Sequence, residues 1–137
     1  MHAPELDGGS PRVDALLGQA SWALSHAEAM LAENHEDEAN ADLERAAACE
    51  EQAASLLEAS GRTLEAMIHF VSAASCHEQL GEFGRAGALL RSALSCGPPE
   101  HYRRDLELQL ARCLLAVPAE AAATQFPVPA EPVIAAG

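Results

Sequence analysis

The sequence has no lysine, few aromatic residues and no proline between Pro11 and Pro98. Aromatic residues make up 4% of its 137 residues, whereas apolar residues make up 49%, with alanine the commonest. No segment approaches the roughly 20 apolar residues that span a bilayer. No window alternates polar residues with β-branched ones, as strands do. A long span without proline, rich in the residue of highest helix propensity, predicts an all-α domain.

Basic residues are also scarce, since eight arginines face 21 acidic residues and the formal net charge is −13. Residues 1–60 hold thirteen of the acidic residues and only Arg12 and Arg45. Such a field repels nucleic acid and anionic lipid, so we predict neither as a partner and expect any protein partner to be basic. Acidic faces that merely keep the protein soluble are the simpler interpretation. Residues 1–7 lack a basic stretch followed by an apolar run, so we expect no signal peptide and a cytoplasmic location.

The apolar periodicity predicts about five antiparallel helices within residues 10–117. A flexible N-terminus (1–9) precedes this domain, and a disordered tail rich in proline and alanine (118–137) follows it. The predicted helices cover about 11–33, 37–59, 63–80, 83–95 and 99 to just before Pro118. Glycines at 61, 81 and 97 mark their ends. Residues 34–40 contain neither glycine nor proline, so they form either a tight turn or part of one continuous helix from 11 to 60.

The residues that could carry chemistry show no recognisable site. The cysteines Cys49, Cys76, Cys96 and Cys113 form no close pair, so we expect free thiols and no metal site. His69 and His77 lie two helical turns apart and could form a polar site with Glu65 and Glu78, although separate surface or core histidines are the simpler interpretation. No nucleophile motif or phosphate loop occurs. We therefore predict no enzymatic activity and no cofactor.

A short pattern of glycine, small and large residues occurs twice, 20 positions apart. Its members are Gly61, Ala66, Phe70 and Ala73, followed by Gly81, Ala86, Leu90 and Ala93. Residues 67–100 resemble one tetratricopeptide (TPR) repeat, with Gly81 between its two helices. The matching residues are Phe70, Ala74, Phe83, Ala86, Ala93 and Pro98, and the departures are Ala73 and His77. The resemblance implies a TPR-like array of helical hairpins with a long, atypical N-terminal hairpin.

In the TPR family the first helix of each repeat lines a groove that holds peptides. Carried over by position, the resemblance implies a groove lined by Ile68, Val71, Ser75, Glu78 and Gln79, and by Tyr102, Asp105, Gln109 and Arg112. The family's clamp for C-terminal carboxylates uses lysines and an asparagine that this chain lacks, so we do not expect it to bind heat-shock chaperone tails.

The resemblance favours a small adaptor of bacterial type that binds a peptide or a partner subunit. One alternative is a small acidic chaperone of the type III secretion translocator kind. Another is a structural subunit that forms homo-oligomers when the Ala/Leu faces of the first two helices pair between chains. Trp22 lies off the apolar stripe of its helix, where it packs on a neighbouring helix or meets a partner. The identity of the partner is not encoded in any motif.

Overall fold

The computed structural model describes residues 10–125, with side chains placed for residues 10–120. This part of the chain forms five helices: α1 (Pro11–Ala32), α2 (Glu36–Ala59), α3 (Thr63–Gln79), α4 (Phe83–Ser95) and α5 (Glu100–Gln125). Extensive packing occurs only between consecutive helices. Because short turns join helices that pack together, neighbouring helices are antiparallel. The prediction of an all-α array of helical hairpins is confirmed.

Three of the four turns between helices have the same conformation. Asn34, Gly61 and Gly81 lie in the left-handed region, with φ of 64°, 85° and 79°. In each turn the following residue donates its backbone N–H to a carbonyl five positions earlier, which defines a Schellman C-cap. These bonds run from His35 to Met30 (2.8 Å), from Arg62 to Leu57 (2.9 Å) and from Glu82 to His77 (2.8 Å). The chain therefore reverses direction in the same way three times.

Asn34 separates α1 from α2, so the predicted tight turn is confirmed and the continuous helix from 11 to 60 is wrong. Asparagine adopts the left-handed conformation more readily than other residues with a side chain, because its short polar group can hydrogen-bond locally. The first turn of α2 contains Glu36, Asp37 and Glu38. Acidic residues are favourable there because the N-terminal end of a helix carries partial positive charge.

The core is built mainly from alanine. At the interface of α1 and α2, Ala20, Ala23, Ala46 and Ala47 are fully buried, and small side chains of this kind allow the two helices to approach closely. The repeated positions of the sequence pattern are also buried: Ala66, Phe70, Ala73, Ala86, Leu90 and Ala93. Helix packing therefore follows the periodicity that the sequence predicts.

Helix α5 continues through Pro118 to Gln125, so its predicted end before Pro118 is wrong. Proline cannot donate a backbone hydrogen bond to the preceding turn, which weakens the helix locally. The residues that follow are mostly alanine and favour helix. The Glu120 carboxylate also accepts a hydrogen bond from the backbone N–H of Gly84 at the start of α4, at 2.8 Å. Within the predicted tail, 118–125 are thus helical, whereas 126–137 and the predicted flexible N-terminus lie outside the described residues.

Candidate protein-binding face

Helices α1, α3 and α5 lie side by side on one surface, here called the odd-helix face. Side-chain hydrogen bonds join α3 to α5, and a cleft separates α1 from α3. Alternate helices share a face because each helix packs on its neighbours in the sequence and reverses their direction. The groove residues that the TPR resemblance implies belong to α3 and α5, and therefore to this face.

Four of these predicted residues form one hydrogen-bonded group, here called the α3–α5 bridge. The Gln109 side-chain amide donates to the Ser75 hydroxyl at 3.4 Å and to the Glu78 carboxylate at 3.1 Å. Arg112 donates to the same carboxylate through Nε at 2.6 Å and Nη2 at 3.2 Å. Ser75 and Gln109, like Glu78 and Arg112, are 34 positions apart in the sequence. The predicted positions of two separate helices therefore meet in pairs.

The α3–α5 bridge holds Glu78 in its charged form. The hydrogen bond from Arg112 lowers the pKa of Glu78 below its ordinary value, burial opposes this effect, and the bond from Gln109 adds to it. Only 18% of the Glu78 side chain is exposed, against 62% of Arg112. The bridge thus presents a partly free guanidinium group to solvent, backed by a half-buried carboxylate.

The N-terminal end of the same surface is apolar. Ile68 and Tyr102 precede Ser75 and Gln109 by seven residues, which is two helical turns or about 10 Å, so they lie on the same helix faces as the bridge. Ile68 is 54% exposed and Tyr102 is 49% exposed, and Leu64 adds a third exposed apolar group. Val71 is half-buried against the core. The predicted groove therefore has one apolar end and one charged end.

Gln79 lies apart from the bridge, in the α1–α3 cleft. This cleft has a volume of about 270 Å³. It is lined by Leu24, Ser25, Ala27, Glu28, Leu31, Leu43 and Gln79. The odd-helix face thus continues from the bridge across α3 to the long N-terminal hairpin.

Sequence reasoning missed a larger cleft on the opposite side of the array. It has a volume of about 630 Å³. Its lining residues are Arg12, Glu44, Ala48, Glu51, Gln52, Ser55, Leu56, His77 and Arg85. The α2 residues recur every three or four positions, which on the sequence alone resembles a solvated helix face. Only the tertiary structure shows that Arg12 and Arg85 border the same space.

Sequence reasoning also missed three pairs of histidine and carboxylate that join successive elements. In each pair the histidine Nδ1 lies 2.6–2.7 Å from a carboxylate oxygen. The pairs are His26 with Asp42, His69 with Glu50, and His77 with Glu82. The considered grouping of His69 and His77 with Glu65 and Glu78 is therefore wrong, because the two histidines have separate partners. The sequence did offer a signal, because Asp42 and Glu50 lie three or four residues from alanines of the apolar stripe of α2 and therefore on its buried side.

The cysteines are free thiols, as predicted. Cys49, Cys76 and Cys113 are buried and Cys96 is half-buried. Burial raises the pKa of the Cys76 thiol to about 11. Among the described residues, no group of three or more His, Cys, Asp or Glu side chains could hold a metal ion.

Trp22 is 57% exposed and stacks on His26 of its own helix, with ring centroids 4.8 Å apart. The interpretation that Trp22 packs on a neighbouring helix is therefore wrong.

Compared with known proteins, the chain matches no family model, no curated protein and no solved structure at a significant level. Across the described residues, no helix combines the length and the apolar character needed to cross a membrane. The function is therefore inferred from the residues and their geometry alone.

Proposed function

We propose that this chain is a protein-binding module that holds a peptide or a partner subunit on its odd-helix face. The observation that carries the proposal is the α3–α5 bridge, which sets Ser75 beside Gln109 and Glu78 beside Arg112. The separation of 34 residues within each pair equals the length of a TPR repeat. This spacing supports a TPR-like array, in which equivalent positions of successive first helices line one groove.

The chemistry of the face suits the capture of a polypeptide. Exposed Ile68 and Tyr102 offer apolar contact, and Tyr102 adds a hydroxyl group that can hydrogen-bond at the edge of the contact. Ten residues after Tyr102, or about 15 Å further along α5, Arg112 offers donors to a backbone carbonyl or an acidic side chain. A ligand that spans this distance needs an apolar group at one end and an acceptor at the other. The proposal is therefore binding without catalysis.

The free cysteines fit a reducing compartment, so we place this module in the cytoplasm. Homo-oligomers through the Ala/Leu faces of α1 and α2 have less support, because those faces are buried against each other within one chain. Among the described residues, the exposed leucines Leu108 and Leu115 of α5 offer one apolar surface for self-association.

The test is affinity capture from the native host, with variants of the face. Ile68→Asp and Tyr102→Ala alter half-exposed side chains, so we expect native circular dichroism and loss of the captured partner. The matched control is Leu114→Asp, because Leu114 is also about half exposed and points to the other side of α5 from Arg112. Equal capture by wild type, the two face variants and the control would show that the partner does not use this face. Unfolding of Ile68→Asp would show that Ile68 belongs to the core, which would contradict the proposal.

A further inference from the structure

The negative charge of the chain is concentrated at one end of the helical array. From Glu28 to Glu44 the sequence has seven acidic residues and neither lysine nor arginine. This stretch contains the end of α1, the turn at Asn34 and the start of α2. All of these acids except Asp42 are exposed. Within the described part of the chain, Glu28, Glu36 and Asp37 make no ion pair, and Glu33 and Glu38 meet only His35, at 3.7 Å.

The α1–α3 cleft opens beside this acidic end. Leu24, Ala27 and Leu31 line it at spacings of three and four residues, so they follow one side of α1 over two turns, or about 10 Å. Leu31 is 44% exposed at the cleft. Glu28 lies between Ala27 and Leu31 in the sequence and contributes a carboxylate to the same lining. The cleft therefore combines an apolar strip with an acidic border.

The lining favours a helical ligand over an extended one. An extended peptide brings backbone N–H and C=O groups that need partners. The cleft walls are helices, whose backbone groups already bond within the helix, and Ser25 and Gln79 are the uncharged polar side chains available in the lining. A helix satisfies its own backbone and presents apolar groups at the same three- and four-residue spacing as α1.

We propose that the α1–α3 cleft binds a basic amphipathic helix of a partner protein. Apolar side chains of that helix pack on Leu24 and Leu31, and its lysines or arginines face Glu28 and the exposed acids of the turn between α1 and α2. Charge complementarity decides the occupant, because an acidic or neutral helix would leave these acids uncompensated. The inference rests on the proposed function and adds the chemistry of the partner.

The test uses a synthetic Leu/Lys peptide of about 18 residues that forms an amphipathic helix of five turns. A dye attached to the peptide reports binding through its fluorescence anisotropy, because Trp22 points to the opposite side of α1 from Leu24 and is not in the cleft lining. We expect saturable binding that weakens as salt is added, because the acidic border contributes through charge. A Leu/Glu peptide of the same pattern and a scrambled Leu/Lys peptide should not bind.

Matched variants locate the site. Leu31→Ser should weaken binding of the Leu/Lys peptide about tenfold through lost apolar contact, and Glu28→Gln about threefold through one lost rim charge. The controls Leu115→Ser and Glu107→Gln make the same changes on exposed positions of α5 and should bind as wild type. Circular dichroism checks that each variant folds.

Equal binding by the cleft variants and their controls would overturn the inference, as would equal binding of the scrambled or Leu/Glu peptide. Either result would leave the proposed function standing if Ile68→Asp still abolished capture of the native partner. Conversely, cleft-dependent peptide binding with capture that is insensitive to Ile68→Asp and Tyr102→Ala would support the cleft and remove the α3–α5 groove.

Discussion

Arg112 on α5 and Glu78 on α3 form a two-bond pair across 34 positions of sequence, with Arg112 Nε 2.6 Å from the carboxylate. Helix α4 lies between α3 and α5 in the sequence, and both helices pack extensively on α4 and not on each other. The pair therefore links α3 and α5 directly. The pair holds the Arg112 guanidinium at a fixed position on the odd-helix face. The contribution of the pair to the free energy of unfolding can be measured by substituting Glu78.

The contribution of the Glu78 pair should depend on pH. The pKa of Glu78 is lowered in the folded state, so its stabilisation is present above the unfolded value of 4.5 and is lost as the pH falls through the folded value. Glu78→Gln should therefore be less stable than wild type at about pH 7, and the difference should narrow below about pH 4. Urea unfolding followed by circular dichroism measures the free energy of unfolding of both proteins at each pH.

Glu65→Gln is the control for this prediction. Glu65 is more exposed and pairs with Arg62 inside one helix turn, so the effect of its substitution should be smaller. A Glu78 difference that stays constant with pH would contradict this account.

The partly buried pair of Glu50 and His69 should be coupled in stability. Glu50 is 7% exposed, and the His69 Nδ1 lies 2.6 Å from its carboxylate. His69→Ala leaves a buried carboxylate without this partner, so we expect a loss of about 1–3 kcal/mol in unfolding free energy. In a double-mutant cycle with Glu50→Ala, the double variant should lose less than the two single variants together, by about 1 kcal/mol. Strict additivity would show that the contact contributes nothing.

Gly81 and Gly18 should respond in opposite ways to alanine. Gly81 has φ of +79°, and an added Cβ would meet no atom within 4 Å, so only backbone strain opposes the change. Gly81→Ala should cost about 1–2 kcal/mol. Gly18 lies inside α1 with equally open surroundings and no positive φ, so Gly18→Ala should stabilise the protein by about 0.5–1 kcal/mol. Thermal or urea unfolding measures the stability of the two variants relative to wild type. A Gly81→Ala variant more stable than wild type would contradict the C-cap geometry.

Two leucines should show how far the core extends. Leu90 on α4 is completely buried, whereas Leu115 on α5 is 83% exposed. Leu90→Ala should lose about 2–5 kcal/mol through lost contact and the cavity left behind. Leu115→Ala should change stability by less than about 0.5 kcal/mol, as surface substitutions do. A large loss at Leu115 would mean that this side chain is covered in solution, for instance by a second copy of the chain.

The four thiols should react at different rates in the native protein. Burial raises the pKa of all four cysteines, most clearly that of Cys76, to about 11. Since thiolate is the reactive form, a disulfide reagent at about pH 8 should modify half-buried Cys96 first. Mass spectrometry after partial labelling identifies the site. Cys76 should react only when the protein opens, and its early labelling would contradict the packing of α3.

The sequence located the helices well where local chemistry is decisive. Gly61 and Gly81 predicted two turns because they adopt the left-handed conformation at little cost. Asn34 left its turn ambiguous, because asparagine is compatible with both a helix and a C-cap. Pro118 predicted the end of α5 wrongly, because the loss of one backbone bond did not outweigh the alanine-rich segment behind it and the contact of Glu120 with α4.

The sequence alone therefore determined the helical class, most helix boundaries and the small residues that pack between helices, since these depend on propensity and periodicity within one segment. Tertiary structure alone decided which distant side chains share a surface. The partners of Glu78, Glu50 and His26, the α1–α3 cleft and the cleft beside α2 depend on how separate helices are placed side by side. No local pattern specifies that placement.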